Sequence, residues 1–352
     1  MGRAVTLRAP FPWFGGKSRA ADLIWSRLGD VPNYCEPFAG SLAVLLSRPT
    51  PAGTETINDL DCYLANFWRA LSMDPDGVAR WATGPVNEAD LHARHRWLVG
   101  QTEFRERMKQ DPDFFDSKIA GWWVWGQCCW IGTGWCLAAQ RSAPPQRGHG
   151  SASDPPSAGG GDEGPRLPIQ IPHLGDAGRG LHRKIPHLGD AGMGLHRKIP
   201  HLGDAGRGEA VLSYMRDLSA RLHNVRVACG EWDRILGPSV TFRHGLTGVV
   251  LDPPYAEGEM EYSAGGASTL SAAVRAWALD SGSNPLLRIA LCGLEGEHPM
   301  PPEWECVAWK ARGGYGSQRT VGENANRYRE RIWFSPHCLR PELAQRELFG
   351  AT

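Results

Sequence analysis

Apolar residues along this chain follow two periods, and each predicts its own kind of element. Short continuous runs bounded by turn residues read as strands buried on both faces. Val249-Val250-Leu251 is one such run, and Leu286 to Cys292 is another. Tyr34-Cys35 leads into Glu36-Pro37-Phe38-Ala39-Gly40-Ser41 and then Leu42-Ala43-Val44-Leu45-Leu46, a strand, a tight glycine turn and a helix; Ile57-Asn58-Asp59 closes the next strand. Trp304 to Lys310 and Tyr328 to Phe334 alternate like an antiparallel pair. Helical spacing appears over 62–82, with Leu64, Phe67, Trp68 and Leu71 on one face, over 88–109, and around Ser271 to Leu279. Strands alternating with helices predict an α/β fold, whose ligands gather at the carboxyl ends of its strands.

The run Val249 to Leu251 stops at Asp252-Pro253-Pro254-Tyr255, because neither proline can donate to a sheet ladder. A carboxylate, a backbone carbonyl and an aromatic face are thereby placed at one strand end. An exocyclic amine on a nucleobase is a poor nucleophile, since its lone pair is delocalised into the ring. The Asp252 carboxylate and the Pro253 carbonyl could accept its two N–H groups and free that lone pair, with Tyr255 stacking on a base extruded from the duplex. The competing reading is a plain strand-ending turn. Asp154-Pro155-Pro156-Ser157 repeats the first three letters without a preceding strand or a following aromatic, and reads as a linker turn.

Two more segments point to a nucleoside-type ligand. Gly40 would let the backbone approach it closely, and the following helix would present free N–H groups. Asp59 follows 19 residues later, the position from which a carboxylate reaches ribose hydroxyls in a βαβ unit. Nearer the N-terminus stands Phe11-Pro12-Trp13-Phe14-Gly15-Gly16-Lys17. Gly16-Lys17-Ser18 ends like a phosphate-binding loop, but Phe11 stands where that motif needs glycine. Gly40 also lacks the companions of a dinucleotide fingerprint.

In order and wording these segments resemble the Dam-type DNA adenine N6-methyltransferases of bacteria and phages. In that family Gly-Gly-Lys precedes Glu-Pro-Phe-Ala-Gly, and Asp-Pro-Pro-Tyr comes late. The likeness covers residues 10–70 and 225–336. It implies a Rossmann-like class I methyltransferase sheet and S-adenosylmethionine as cofactor. It further implies cofactor contacts from Trp13, Gly15, Gly16, Lys17, Glu36, Pro37, Phe38, Ala39, Gly40, Asp59 and Asp252, with Asp252, Pro253, Pro254 and Tyr255 as the catalytic motif. In Cys229-Gly230-Glu231-Trp232-Asp233, Glu231 and Trp232 resemble the pair that contacts the cofactor's adenine, and Asp233 fits the acidic role after a small shift. The family motif often continues with glycine where Leu42 stands; that change falls at the helix start and is expected to be tolerated.

The resemblance also implies a division of the chain. Residues 1–62 and 226–340 would form the methyltransferase domain, 63–225 an inserted, mainly helical target-recognition domain, and 341–352 a tail. Gly121-Trp122-Trp123-Val124-Trp125-Gly126, with Trp130 and Trp135 behind it, reads first as core packing and second as a stacking surface. From Ser142 to Gly164 the chain is dominated by Gly, Pro and Ser, a composition that cannot offset its ordering entropy by burial. The segment Ile171 to Lys184 then recurs at Ile185 and, truncated, at Ile199, completing an insert over 141–208. The repeats read as expansion of a tolerated loop, with a loose phosphate-binding tether as the alternative. Gly313 to Ser317 reads as a loop on the substrate side, with Arg312, Arg319, Arg327 and Arg329 as candidate phosphate contacts.

Composition narrows the rest. With 38 Lys plus Arg against 38 Asp plus Glu in 352 residues, duplex binding must rest on clustered cations and not on net charge. His92 and His95 lack further ligands at a recognised spacing, and nine cysteines contain no Cys-x-x-Cys pair, so no metal is expected. The odd cysteine count, the lack of a signal peptide and the lack of a long apolar span suggest a reduced, cytoplasmic setting, with Cys35 and Cys292 as inert core thiols. The expected function is methyl transfer to adenine N6 in double-stranded DNA. Cytosine N4 methylation and an inactive DNA-binding relative are the alternatives, and the oligomeric state is left open, a monomer included.

Overall fold

The computed structural model describes residues 7–11, 13, 15–50, 53–84, 86–111, 113–130, 135–136, 208–255, 266–309 and 326–341. Pro12, Phe14, the Asp154-Pro-Pro copy, the Gly/Pro/Ser stretch, the repeats, the 313–317 loop, Arg312 and Arg319 lie outside them, as does the side chain of Arg327.

Among the described residues, seven strands form one sheet: β1 Asn33–Glu36, β2 Thr54–Asp59, β3 Val225–Cys229, β4 Thr247–Leu251, β5 Leu287–Leu294, β6 Glu305–Ala308 and β7 Glu330–Phe334. Their order is β3-β2-β1-β4-β5-β7-β6. The first five pair in parallel, and β7 runs antiparallel to both of its neighbours. The sheet is therefore the Rossmann-like arrangement expected of a methyltransferase. One reversed strand has a consequence for the site, because it brings the start of β7 to the edge where the parallel strands end.

Side chains alternate across the sheet with period two. Val249 and Leu251 face one core together with Ile289, Leu291 and Trp333. Val250 faces the other with Ala290, Cys292, Ile332 and Phe334. The first core is closed by α9, Gly266–Ser281, through Val274 and Ala278. The second is larger and takes in α1 (Ala21–Leu28), α2 (Ala43–Leu46) and the helices between β2 and β3.

The long helices expected over 62–82 and 88–109 are each two. Helix α3, Cys62–Met73, ends at Asp74, whose side chain caps α4, Pro75–Ala82, by accepting from Gly77 N at 2.9 Å. Pro75 has no N–H to continue α3 and is well placed in the first turn of α4. Helix α5, Glu88–Val99, stops at Gly100, and α6, Phe104–Gln110, restarts after it. Helices α7, Ser117–Cys129, and α8, Gly208–Leu222, complete the group; a last short helix, α10, covers Asn326–Arg329. Leu64, Phe67, Trp68 and Leu71 are all fully buried. So are Trp123 and Trp125, which makes the tryptophan-rich segment chiefly core, as its first reading has it.

Phe11 joins this core to the N-terminal motif. Its ring lies 5.4 Å from that of Phe67, 5.6 Å from Trp68, 5.2 Å from Trp123 and 5.9 Å from Trp13. The segment carrying Gly15, Gly16 and Lys17 is thus held against helices that arise far along the chain.

Candidate active site

Lys17 and Asp252 meet at the carboxyl edge of the sheet. Gly15, at φ +74°, takes a left-handed turn open to glycine, and its carbonyl accepts from Lys17 Nζ at 2.9 Å. The same ammonium lies 2.8 Å from Asp252 Oδ1. Gly16 is exposed beside it, with Ser41 Oγ 3.5 Å from where a β-carbon would stand. Burial pushes the Asp252 carboxyl up, and the neighbouring ammonium pulls it back down. Burial also opposes the charge on Lys17, but Asp252 and Glu330 outweigh it and raise its pKa.

Tyr255 closes the other side. Its ring centroid is 5.2 Å from Lys17 Nζ, and the Trp309 ring is 5.7 Å away on the same cation. Its hydroxyl donates to Glu330 Oε2 at 2.6 Å. Burial raises the Glu330 carboxyl, against the pull of Lys17. Pro253 is buried and Pro254 half-buried between these groups and the end of β4.

The segment from Glu36 to Gly40 leaves β1 next door. Glu36 Oε2 accepts from Tyr34 Oη at 3.0 Å, and burial pushes this carboxyl up to about 8. Gly40, at φ +46°, holds the Trp13 indole so closely that a β-carbon there would lie 2.5 Å from Nε1. The expected close approach to a ligand is therefore, in this structure, a close approach to Trp13. Gly40 N donates to Asp59 Oδ2 at 3.1 Å, and Asp61 N to Asp59 Oδ1 at 2.9 Å. Burial, reinforced by Asp61, pushes the Asp59 carboxyl up to about 7 despite these donors.

Two expectations need correction. Helix α2 is one turn of four residues, too short for a strong terminal dipole, and Gly40 N is already used by Asp59. Leu42 does not sit in helical backbone: its φ is +54° and ψ +26°, left-handed, where the family's glycine is at ease. The change is accommodated by complete burial of its side chain, and that offsets a strain on the order of 1 kcal/mol.

Phe38 and Trp232 face each other almost in parallel, centroids 6.1 Å apart at 18°. Ala39 and Pro37 are buried beneath them. Glu231 and Asp233 are both exposed at the start of the short turn Trp232–Ile235, so geometry does not choose between them.

Residues 13–109 match the family described as D12 class N6 adenine-specific DNA methyltransferase. Over that segment the chain is similar to this family of DNA methyltransferases. The match spans β1, β2 and α1 to α5, ends within α6, and stops before β3, β4 and Asp252. No curated protein matches the chain.

The structure brings Lys17, Asp252 and Tyr255 into contact, and sets Trp13, Glu36 to Gly40, Asp59 and Trp232 along the adjoining strand ends. Sequence reading missed three participants. Asn58 Nδ2 donates to Pro37 O at 3.1 Å and Gly230 O at 2.9 Å, tying two loops together. Its position beside Asp59 is the only local signal. Glu330 and Trp309 come from β7 and the end of β6, and no motif marks them.

Among the described residues, no group of three or more His, Cys, Asp or Glu side chains is arranged to hold a metal. His95 instead stacks on Trp130 at 5.3 Å, and His92 lies 3.6 Å from Glu88. Burial raises the Cys35 thiol to about 12 and pushes the Cys292 thiol well above its ordinary value. No helix among these residues is long and apolar enough to cross a membrane.

Proposed function

We propose that this methyltransferase moves a methyl group from S-adenosylmethionine to N6 of an adenine extruded from double-stranded DNA. The observation carrying the proposal is the partly exposed Asp252 carboxylate at the end of β4, ion-paired with Lys17 and flanked by the Tyr255 and Trp309 rings. A carboxylate acceptor beside flat aromatic walls is what a flipped base with an exocyclic amine requires.

The residues on the β1–β2 side fit the cofactor. Asp59 offers a carboxylate to ribose hydroxyls, and the buried Asn58 Oδ1 has no hydrogen-bond partner among the described residues. Asp252, joined by Asp59 and Glu36 once these ionise at about 7 and 8, would make an acidic edge suited to a sulfonium. Bound there, S-adenosylmethionine would supply an electrophilic methyl group. Trp13, Gly15, Gly16, Lys17, Glu36 to Gly40, Glu231 and Trp232 are the proposed surroundings.

Asp252 and the Pro253 carbonyl accept the two N–H groups of the target amine, which turns its lone pair toward the methyl group, and Asp252 then stands ready for the surplus proton. The Lys17 ammonium favours the charged form of Asp252 and so opposes the burial that raises its pKa. Catalysis then rests on alignment and on fixed charge in a partly dry site. Residues 63–225 are proposed as the target-recognition region. Incubation of purified protein with methyl-labelled cofactor and unmodified duplex DNA should label the DNA. Label confined to RNA or protein would remove the DNA assignment.

A further inference from the structure

Glu330 has no place in the motifs, yet it is 8 % exposed and sits at the mouth. Its location follows from topology. It pairs with Leu294, the last residue of β5, because the antiparallel β7 begins where the parallel strands end. Trp309 N donates to the Glu330 carbonyl at 3.3 Å, so the same residue fixes the segment that carries the Trp309 ring. Its carboxylate receives the Tyr255 hydroxyl at 2.6 Å. Short bonds to an ionised acceptor are the strong ones, and they constrain direction as well as distance.

From this geometry we propose that Glu330 is a positioning residue for methyl transfer: it holds the Tyr255 ring at a fixed tilt beside Asp252 and joins it to the Trp309 wall, making one rigid slot for the target base. The inference rests on the functional reading above, in which Tyr255 stacks on that base. It bears on what Tyr255→Phe should do. If the ring alone mattered, Tyr255→Phe would be nearly silent; with Glu330 as anchor, the phenylalanine ring is free to rotate away and a buried carboxylate loses its donor.

A double-mutant cycle with Tyr255→Phe, Glu330→Ala and the double variant tests this, with Glu330→Gln as the conservative control. Single-turnover methyl transfer on duplex DNA, cofactor affinity and urea midpoint are read for each. Misplacement of a reacting group by about 1 Å can cost up to about 100-fold, so each single variant should lose roughly 10- to 100-fold in rate. The double variant should lose no more than the worse single one, with cofactor affinity unchanged. Glu330→Gln, whose amide oxygen still accepts, should recover most of what alanine loses. Additive losses, or a Gln variant as poor as Ala, would overturn the positioning role. Should wild-type protein methylate no DNA, the functional reading fails separately, and the urea midpoints still decide the anchor: coupled shifts uphold the Tyr255–Glu330 bond, and additive ones remove it.

Discussion

Asp252 directly follows β4 and Asp59 ends β2 of one sheet, with β1 between the two strands, but their charges are supported in different ways. Asp252 has the Lys17 ammonium at 2.8 Å, whereas Asp59 has two backbone N–H groups, at 2.9 and 3.1 Å. Burial raises both acids. In the proposed reaction, a neighbouring cation counters burial where the carboxylate must stay charged as the base approaches. Backbone dipoles leave Asp59 titrating at about 7 and Glu36, held by a phenol, at about 8. The lesson is that one edge carries a charge-compensated site and a neighbouring pair of pH-sensitive acids.

The sharpest way to break this contrast is Asp252→Ala. Methyl transfer should fall by about 10³-fold or more, the scale of losing a preorganised electrostatic group. Circular dichroism should remain native, because the residue follows the strand and holds no core packing. Wild-type turnover in this variant would refute its role.

Lys17→Met probes the compensation itself. With the ammonium gone, burial acts on Asp252 unopposed, so its carboxyl should titrate higher and the rising limb of the pH–rate profile should move to higher pH. Turnover at neutral pH should drop roughly 10- to 100-fold and recover in part under alkaline conditions. A uniform loss at every pH would assign Lys17 to binding alone.

Asp59→Asn sharpens the other side. Both Asp59 and Glu36 have folded pKa values above their ordinary ones, so each adds stability at low pH that is lost as pH rises through the folded value. Melting temperature should therefore decline from the ordinary carboxylate range up to about 8, and the Asn variant should lose the part of that decline ending at about 7. Cofactor binding should tighten as Asp59 ionises, and the variant should show no such step. An unchanged melting profile would mean that Asp59 is already ionised at low pH.

The parts of this edge legible in sequence are those whose residues are neighbours in the chain. Asp252 to Tyr255, Glu36 to Gly40 and Asp59 could be placed at strand ends because an apolar run stops directly before each. Glu330 could not, since it reaches Tyr255 from 75 residues away, and its position depends on β7 running backwards. Leu42 was misplaced because a buried leucine in left-handed backbone contradicts local propensity and is held by tertiary packing. The breaks at Asp74 and Gly100 were passed over because the apolar period continues through them, although Pro75 signals the first.

The smallest effect is expected from the repeats. Deleting two repeats, Ile171 to Lys198, should shift the melting temperature by less than about 2 °C, since doubling a loop costs only about 0.6 kcal/mol. If these repeats tether phosphate, DNA affinity should weaken mainly at low salt. A large fall in melting temperature would show that they pack.

The central claim is that the Asp252 mouth methylates adenine N6, and product identity tests it most directly. Duplex DNA incubated with the purified protein and S-adenosylmethionine should, after digestion, yield N6-methyladenosine deoxynucleoside by mass and retention, with none from a parallel Asp252→Ala reaction. N4-methylcytosine as the sole product, or equal N6-methyladenine from both reactions, would contradict it.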